Sequence, residues 1–121
     1  MGVLKIKRIY EKPEKSDGTR ILVDRLWPRG VKKEDAHLDF WMKNITPSSA
    51  LRKWFNHEPK KFEEFSKKYI NELKGGDEAS KEEIEKVLSL LKAGNVALLY
   101  AAKSADINHA RVLERYIKSL V

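Results

Sequence analysis

The sequence contains no cysteine among its 121 residues. This absence excludes disulfide bonds, thiolate catalysis and cysteine-ligated metals. The histidines, His37, His57 and His109, lack the spacing of metal ligands, so we expect no metal site and no cofactor. The glycine patterns of phosphate loops and dinucleotide-binding turns are also missing, and no serine lies in a nucleophile elbow.

Long apolar runs are missing as well. No stretch approaches the roughly 20 residues that a helix needs to cross a bilayer. The first ten residues, MGVLKIKRIY, do not form the apolar segment of a secretion signal, because Lys5, Lys7 and Arg8 interrupt them. We therefore expect a cytoplasmic bacterial or archaeal protein that has no membrane partner and forms a single α/β domain over residues 1–121.

Positive charge is in excess and unevenly distributed. The net charge is +7, and residues 1–33 carry ten basic and four acidic side chains. A basic segment of this kind fits a phosphate-containing partner or nucleic acid, whereas a solvated, charged rim is the simpler alternative. The candidate phosphate contacts are Lys5, Lys7, Arg8, Lys12, Lys15, Lys32 and Lys33.

Three segments have the apolar patterns of strands. Residues 3–10 alternate, with Leu4 and Ile6 on one face and Lys5 and Lys7 on a half-exposed face. Residues 20–26 contain a continuous apolar run from Ile21 to Val23, as expected of a strand covered on both faces. Residues 95–102, NVALLYAA, are apolar on both faces, which predicts a central strand parallel to a neighbour.

Helical patterns occupy the middle and the end of the chain. Residues 46–94 contain three predicted helices, for which Thr46 with Pro47, Pro59, and a Ser80–Glu83 capping box are the predicted starts. A final helix is predicted over 106–120, with Asp106 as its N-cap. Together these elements predict a three-layer-like α/β domain with a small, mostly parallel sheet and four or five helices. The short link between the first two strands favours antiparallel pairing, although parallel pairing stays open.

Polar residues follow two of the predicted strands and mark a candidate site. Ligands of parallel sheets bind beyond the carboxyl ends of the strands, where unpaired N–H groups of a helix start add positive potential. Asp24 and His109 are the candidate acid–base pair. The candidate substrate-binding residues are Arg25, Trp27, Arg29, Tyr100, Lys103 and Asn108. Side chains alternate along a strand, so Asp24 and Arg25 should point apart, which makes Arg29 the stronger ligand contact.

Several of these residues also have structural interpretations. Asp24 could form an ion pair with an arginine, and Asp106 is more often a cap than a catalyst. Trp27 more often fills a core than stacks on a ligand. His57, in WFNHEP, is predicted to be a polar staple between two helices.

The segments RILVDRLWPRG, LRKWFNHEPKKFEEFSKKY and LLYAAKSADINHARVL resemble the YeaO-like branch of the domain of unknown function 488 family. The resemblance covers nearly the whole chain and implies an α/β domain, but it implies no particular activity. In a more distant branch of that family, the last strand is followed by an acidic residue and a Cys-His-Arg cluster. This chain has Lys103 at the first place and Asn108, His109 and Ala110 at the second, so a mechanism that depends on that cysteine is excluded.

Two classes of function remain. The first is a pocket, catalytic or derived from a catalytic one, for a phosphorylated or nucleotide-like small molecule. In it Arg25 and Arg29 would bind the anion, and Trp27 or Tyr100 would stack on a base. The second is a non-catalytic module that binds nucleic acid or another protein. Reaction type and oligomeric state do not follow from the sequence.

Overall fold

The computed structural model describes residues 1–121 and shows an α/β fold with four strands and five α-helices. The strands are β1 (Leu4–Arg8), β2 (Thr19–Leu22), β3 (Phe40–Trp41) and β4 (Val96–Tyr100). The helices are α1 (Lys33–Ala36), α2 (Ser49–Phe55), α3 (Phe62–Lys74), α4 (Glu78–Ala93) and α5 (His109–Ser119). Short 3-10 helices occupy Lys15–Asp17 and Pro59–Lys61. None of the helices combines the length and the apolarity that a bilayer crossing would require.

All four strands are parallel, in the order β1-β4-β2-β3. The mostly parallel sheet predicted from the sequence is therefore confirmed, with β4 in the interior. The short link between β1 and β2 does not make a hairpin, because β4 pairs with both strands and separates them. β4 takes this place because all five of its residues are buried, as a strand covered on both faces requires.

Most of the core lies on one face of the sheet. There, side chains such as Ile21, Val96 and Leu98 pack against α2, α3, α4 and α5. The opposite face carries a smaller cluster to which α1 contributes Ala36. The three layers are thus unequal, with the long helices on one face and short segments on the other.

Three helices begin at caps other than the predicted ones: Ser48 replaces Thr46, Asp77 replaces Ser80, and Asn108 replaces Asp106. Each observed cap has an extended backbone, and its side chain accepts the hydrogen bond of an N–H group three residues later. Thr46 instead donates its hydroxyl hydrogen to the carbonyl of Lys43. Near the start of each of these helices the sequence contains two residues of a type that can cap a helix. Residue type alone therefore did not identify the cap.

The predicted second strand, 20–26, is shorter in the structure. β2 ends at Leu22, although the N–H of Val23 still donates to the carbonyl of Leu99. The chain then leaves the sheet at Asp24, whose carbonyl accepts the indole hydrogen of Trp41 at 2.7 Å. Residues 24–30 therefore form a loop at the carboxyl edge of the sheet.

Candidate functional site

A cavity of about 360 Å³ lies at the carboxyl ends of the central strands. The loop after β2, the helix α2, the residues after β4 and the start of α5 surround it. We call it the strand-end cavity. Its position is the one that parallel sheets commonly use for ligands, since the connections that follow the strands converge there.

Asp24 and His109 meet at this cavity. The Asp24 Oδ2 atom accepts the backbone N–H of Ala101 at 2.9 Å, and the His109 Nε2 atom lies 3.1 Å from Asp24 Oδ1. Nε2 also lies 2.7 Å from the carbonyl oxygen of Val23. Because both neighbours of Nε2 are acceptors, this nitrogen carries the ring hydrogen and Nδ1 is the free ring nitrogen. These contacts join the ends of β2 and β4 to the start of α5.

The Asp24 Oδ1 atom is buried and makes no hydrogen bond of good geometry. The hydrogen on His109 Nε2 is directed at Val23, so the carboxylate oxygen beside it receives only an electrostatic contact. A buried acceptor without a hydrogen bond is costly, and such groups are found at functional sites. Burial also keeps this oxygen away from a ligand, although Asp24 and His109 both line the cavity.

Five exposed side chains surround the opening of the strand-end cavity, and we call them the mouth: Tyr10, Leu26, Arg29, Arg52 and His57. Neither arginine of the mouth takes part in a salt bridge. Asp24 is the single acidic residue among the lining residues. The opening therefore carries unneutralised positive charge, which attracts anions.

Aromatic and apolar side chains form the walls. The indole N–H of Trp27 donates to the carbonyl of Val31 at 2.7 Å, and the ring meets Trp41 edge to face at 5.4 Å. On the other side, Phe55 stacks on Phe65 with 4.2 Å between the ring centroids. These contacts fix both walls, so the cavity is preformed rather than assembled from loose side chains.

Of the candidate residues chosen from the sequence, the cavity brings five together: Asp24, Trp27, Arg29, Asn108 and His109. Asn108 is buried and caps the helix, because Oδ1 accepts from the N–H of Arg111 and Nδ2 donates to the carbonyl of Ser104. Its amide is therefore held in place by the fold, and a second Nδ2 hydrogen is not used in these bonds.

The remaining three candidates do not line the strand-end cavity: Arg25, Tyr100 and Lys103. Arg25 extends to a separate depression, where its Nε donates to Thr46 Oγ1 at 3.2 Å. Tyr100 belongs to the core with 2% of its surface exposed, and burial raises the pKa of its phenol. The Tyr100 ring therefore cannot stack on a ligand. Lys103, the third of these residues, is exposed to solvent.

The helix start offers fewer free N–H groups than the sequence predicts. Ser104 Oγ accepts the N–H groups of Asp106 at 3.3 Å and Ile107 at 2.9 Å. The Asn108 side chain occupies the N–H of Arg111. The backbone donors that were expected to cradle an anion are thus partly satisfied by the loop's own side chains.

Sequence reasoning missed Tyr10, Arg52 and Phe55, and assigned His57 only to a turn. Arg52 and Phe55 reach the cavity because α2 packs on α3 and lies beside the residues that follow the strands, a long-range arrangement that no local pattern reports. His57 and its neighbour Asn56 both adopt left-handed backbone, with φ of 56° and 47°. Such conformations are uncommon for residues other than glycine and concentrate at functional sites.

Some of the basic side chains near the amino terminus pair with a buried carboxylate. Asp17 is fully buried and contacts Lys5, Lys7 and Arg20. Burial alone would raise the pKa of Asp17, but hydrogen bonds from Lys5, the Glu14 backbone, Lys7 and Arg20 hold it well below its usual value. Lys7 was expected on a half-exposed face, yet it is buried because Asp17 and Glu14 neutralise it.

No group of three or more histidine, cysteine, aspartate or glutamate side chains is placed to hold a metal ion. The polar character of the strand-end cavity therefore comes from arginine, histidine and one carboxylate. This set of side chains is suited to hydrogen bonding and to anion recognition.

Comparison with known sequences places the chain in a family. Residues 3–121 match the family described as "Inactive DUF488-N3 subclade", so this protein belongs to the DUF488 family. It is 44% identical to the uncharacterized protein YeaO of Escherichia coli K12 over 117 residues, which cover 97% of this chain and 98% of YeaO.

It is also 36% identical to the uncharacterized protein Rv3073c of Mycobacterium tuberculosis H37Rv over 114 residues, or 94% of this chain and 92% of that protein. The uncharacterized protein Mb3100c of Mycobacterium bovis has the same identity and coverage. No solved structure matches the chain. The resemblance to the YeaO-like branch is confirmed.

Proposed function

We propose that this protein binds a small phosphorylated or nucleotide-like anion in the strand-end cavity and does not transform it covalently. The observation that carries the proposal is the pairing of two unneutralised arginines, Arg29 and Arg52, with aromatic walls in one preformed cavity. Guanidinium groups bind phosphate through paired, charge-assisted hydrogen bonds. The half-buried Trp27 ring provides an apolar surface for a planar ring, whereas Phe55 and Phe65 are buried behind the cavity surface.

His109 supplies a polar contact inside the cavity. With the hydrogen held at Nε2 by Val23 and Asp24, its Nδ1 lone pair is free to accept a hydrogen bond from a ring N–H or an amine of the ligand. Asp24 acts through this histidine and through the N–H of Ala101, because its Oδ1 atom is buried and its Oδ2 atom is already hydrogen-bonded. It is a positioning residue.

Binding without turnover fits the remaining features. The chain has no cysteine, and the family that it matches is described as inactive. The Asp24–His109 pair is the one feature that favours an enzyme, with His109 exchanging a proton at Nδ1. A turnover assay separates the two functions, since an enzyme would convert the ligand and a binding protein would return it unchanged.

The test is isothermal titration with inorganic phosphate and with nucleoside mono- and diphosphates. We expect Arg29→Gln and Arg52→Gln each to weaken binding at least about tenfold, because a hydrogen bond to a charged group contributes about 1.5–3 kcal/mol. The matched control is Lys92→Gln, which removes one positive charge at the opposite end of the sheet, just before β4. Equal weakening by the control would mean that only net charge matters, and unchanged binding in both arginine variants would contradict the proposal.

A further inference from the structure

Two large apolar side chains of the mouth are exposed to solvent. Leu26 is 71% exposed and Tyr10 is 47% exposed. The other large exposed apolar residues lie at the chain ends, namely Met1, Val3, Leu120 and Val121. Away from the termini, therefore, the exposed apolar surface is concentrated at the opening of the strand-end cavity, and surface of this kind marks a binding site.

Tyr10 is held in place by its neighbours. The Arg8 guanidinium lies 4.9 Å from the centre of the Tyr10 ring, and the phenol donates to the carbonyl of Arg29 at 3.0 Å. Arg8 is itself anchored by the carbonyls of Ala101 and Ala102. The Arg8 guanidinium and the hydrogen bond to Arg29 thus hold the Tyr10 ring in place at the mouth. An aromatic ring held in this way is suited to stacking with a base.

Exposed lysines lie close in sequence to two residues of the mouth. Lys32 comes three residues after Arg29, and Lys60 comes three residues after His57. Both lysines are exposed and neither takes part in a salt bridge. A ligand confined to the cavity would leave these lysines without contacts, because neither lines the cavity.

We propose that the ligand of the strand-end cavity is one nucleotide of a single-stranded nucleic acid, whose flanking nucleotides cross the mouth. This inference rests on the proposed function, and it names the molecule that carries the phosphate and the ring. Single-strand binding combines a positive groove for the backbone with aromatic side chains for the bases. The five residues of the mouth include cationic and aromatic side chains and no carboxylate, so a phosphate backbone complements them better than a neutral protein surface does.

Part of the amino-terminal positive charge is already neutralised within the protein. Of the candidate phosphate contacts there, Lys5 and Lys7 both bind Asp17. Lys32, three residues after Arg29, is among the candidates that take part in no salt bridge.

The test compares a mononucleotide with a single-stranded oligonucleotide of about eight nucleotides, within the usual site sizes. Titration calorimetry measures the affinity for the mononucleotide, and fluorescence anisotropy measures the affinity for the oligonucleotide. Both are recorded over a range of salt concentrations. We expect the oligonucleotide to bind at least tenfold more tightly at low salt. The Leu26→Ser variant should weaken oligonucleotide binding several-fold, whereas the equally apolar and exposed control Val3→Ser should not.

A double variant, Lys32→Gln with Lys60→Gln, separates the strand from the mononucleotide. It should lower the salt dependence of oligonucleotide binding by about 1.4 in the slope of log affinity against log salt, for two lost phosphate contacts. Mononucleotide binding should stay unchanged, because neither lysine lines the cavity. The matched control, Lys15→Gln with Lys92→Gln, removes the same charge near the start of β4 and should leave the slope unaltered.

The possible outcomes are distinguishable. Equal affinity for the mononucleotide and the oligonucleotide would overturn this inference, would leave the proposed function standing, and would assign the exposed apolar residues to a protein partner. Oligonucleotide binding that is insensitive to Leu26→Ser and to the lysine pair would also overturn it, because the strand would then bind elsewhere. Failure of both ligands to bind would overturn this inference and the proposed function together.

Discussion

Replacing Asp17 with asparagine should destabilise the protein more than any surface substitution. The carboxylate is fully buried, and it contacts three cations, of which Lys7 and Arg20 are themselves buried. An asparagine keeps the shape but loses the negative charge, so Arg20 loses its counter-ion and Lys7 keeps only Glu14. Breaking a buried ion pair in this way costs about 3–5 kcal/mol.

Urea unfolding followed by circular dichroism measures the effect. With a slope of about 2 kcal/mol per molar urea, a loss of about 4 kcal/mol moves the midpoint down by about 2 M. The control is Asp106→Asn, whose carboxylate is 89% exposed and 3.9 Å from Arg111. An exposed pair of this kind contributes about 0–1 kcal/mol, so its midpoint should hardly change.

A double variant tests the reason for the loss. If uncompensated charge is the cause, Asp17→Asn combined with Lys7→Met should be more stable than Asp17→Asn alone, because one buried cation is removed. A loss below about 1 kcal/mol for Asp17→Asn would refute the reasoning, since it would mean that the cations regain water freely. The same conclusion follows if Lys7→Met brings no recovery.

Two further predictions concern acid stability and a close backbone contact. The folded state lowers the pKa of Asp17, so its contribution to the free energy of unfolding is complete above about pH 5. This contribution declines as the pH falls through and below the ordinary carboxyl range. Thermal melts from pH 7 to pH 3 should therefore show a steeper loss of stability for wild type than for Asp17→Asn. Gly18 and Gly30 both have positive φ, but a Cβ at Gly18 would lie 2.1 Å from the carbonyl oxygen of Asn95, whereas Gly30 faces open space. Gly30→Ala should therefore cost about 1–2 kcal/mol and Gly18→Ala clearly more, and equal midpoints in urea would contradict this difference.

Much of the fold follows from local patterns. β4 is apolar at every position, and this predicted a buried central strand. The pattern of α3 and its glycine end predicted a helix that the structure shows over Phe62–Lys74. β3 was missed because its two residues, Phe40 and Trp41, are too few to show a period. The position of β4 between β1 and β2 was also missed, because pairing between distant segments leaves no local sign.

The site was predictable where it depends on strand ends. Asp24 and His109 meet because β2 and β4 are parallel neighbours, so the residues that follow them converge at one edge. Arg52 was not predictable, since it reaches the cavity only through the packing of α2. The assignment of Lys7 to an exposed face failed for a related reason, because the carboxylate that allows its burial lies ten residues further along the chain.

The central claim is that a phosphorylated ligand binds in the strand-end cavity, and nuclear magnetic resonance tests it most directly. Amide shifts of labelled protein are recorded while a nucleoside monophosphate is added. We predict that the largest changes map to residues 26–29, 52–57 and 101–109, and that they disappear in the Arg29→Gln, Arg52→Gln double variant. Changes confined to the surroundings of Asp17, or no saturable changes at millimolar ligand, would contradict the account.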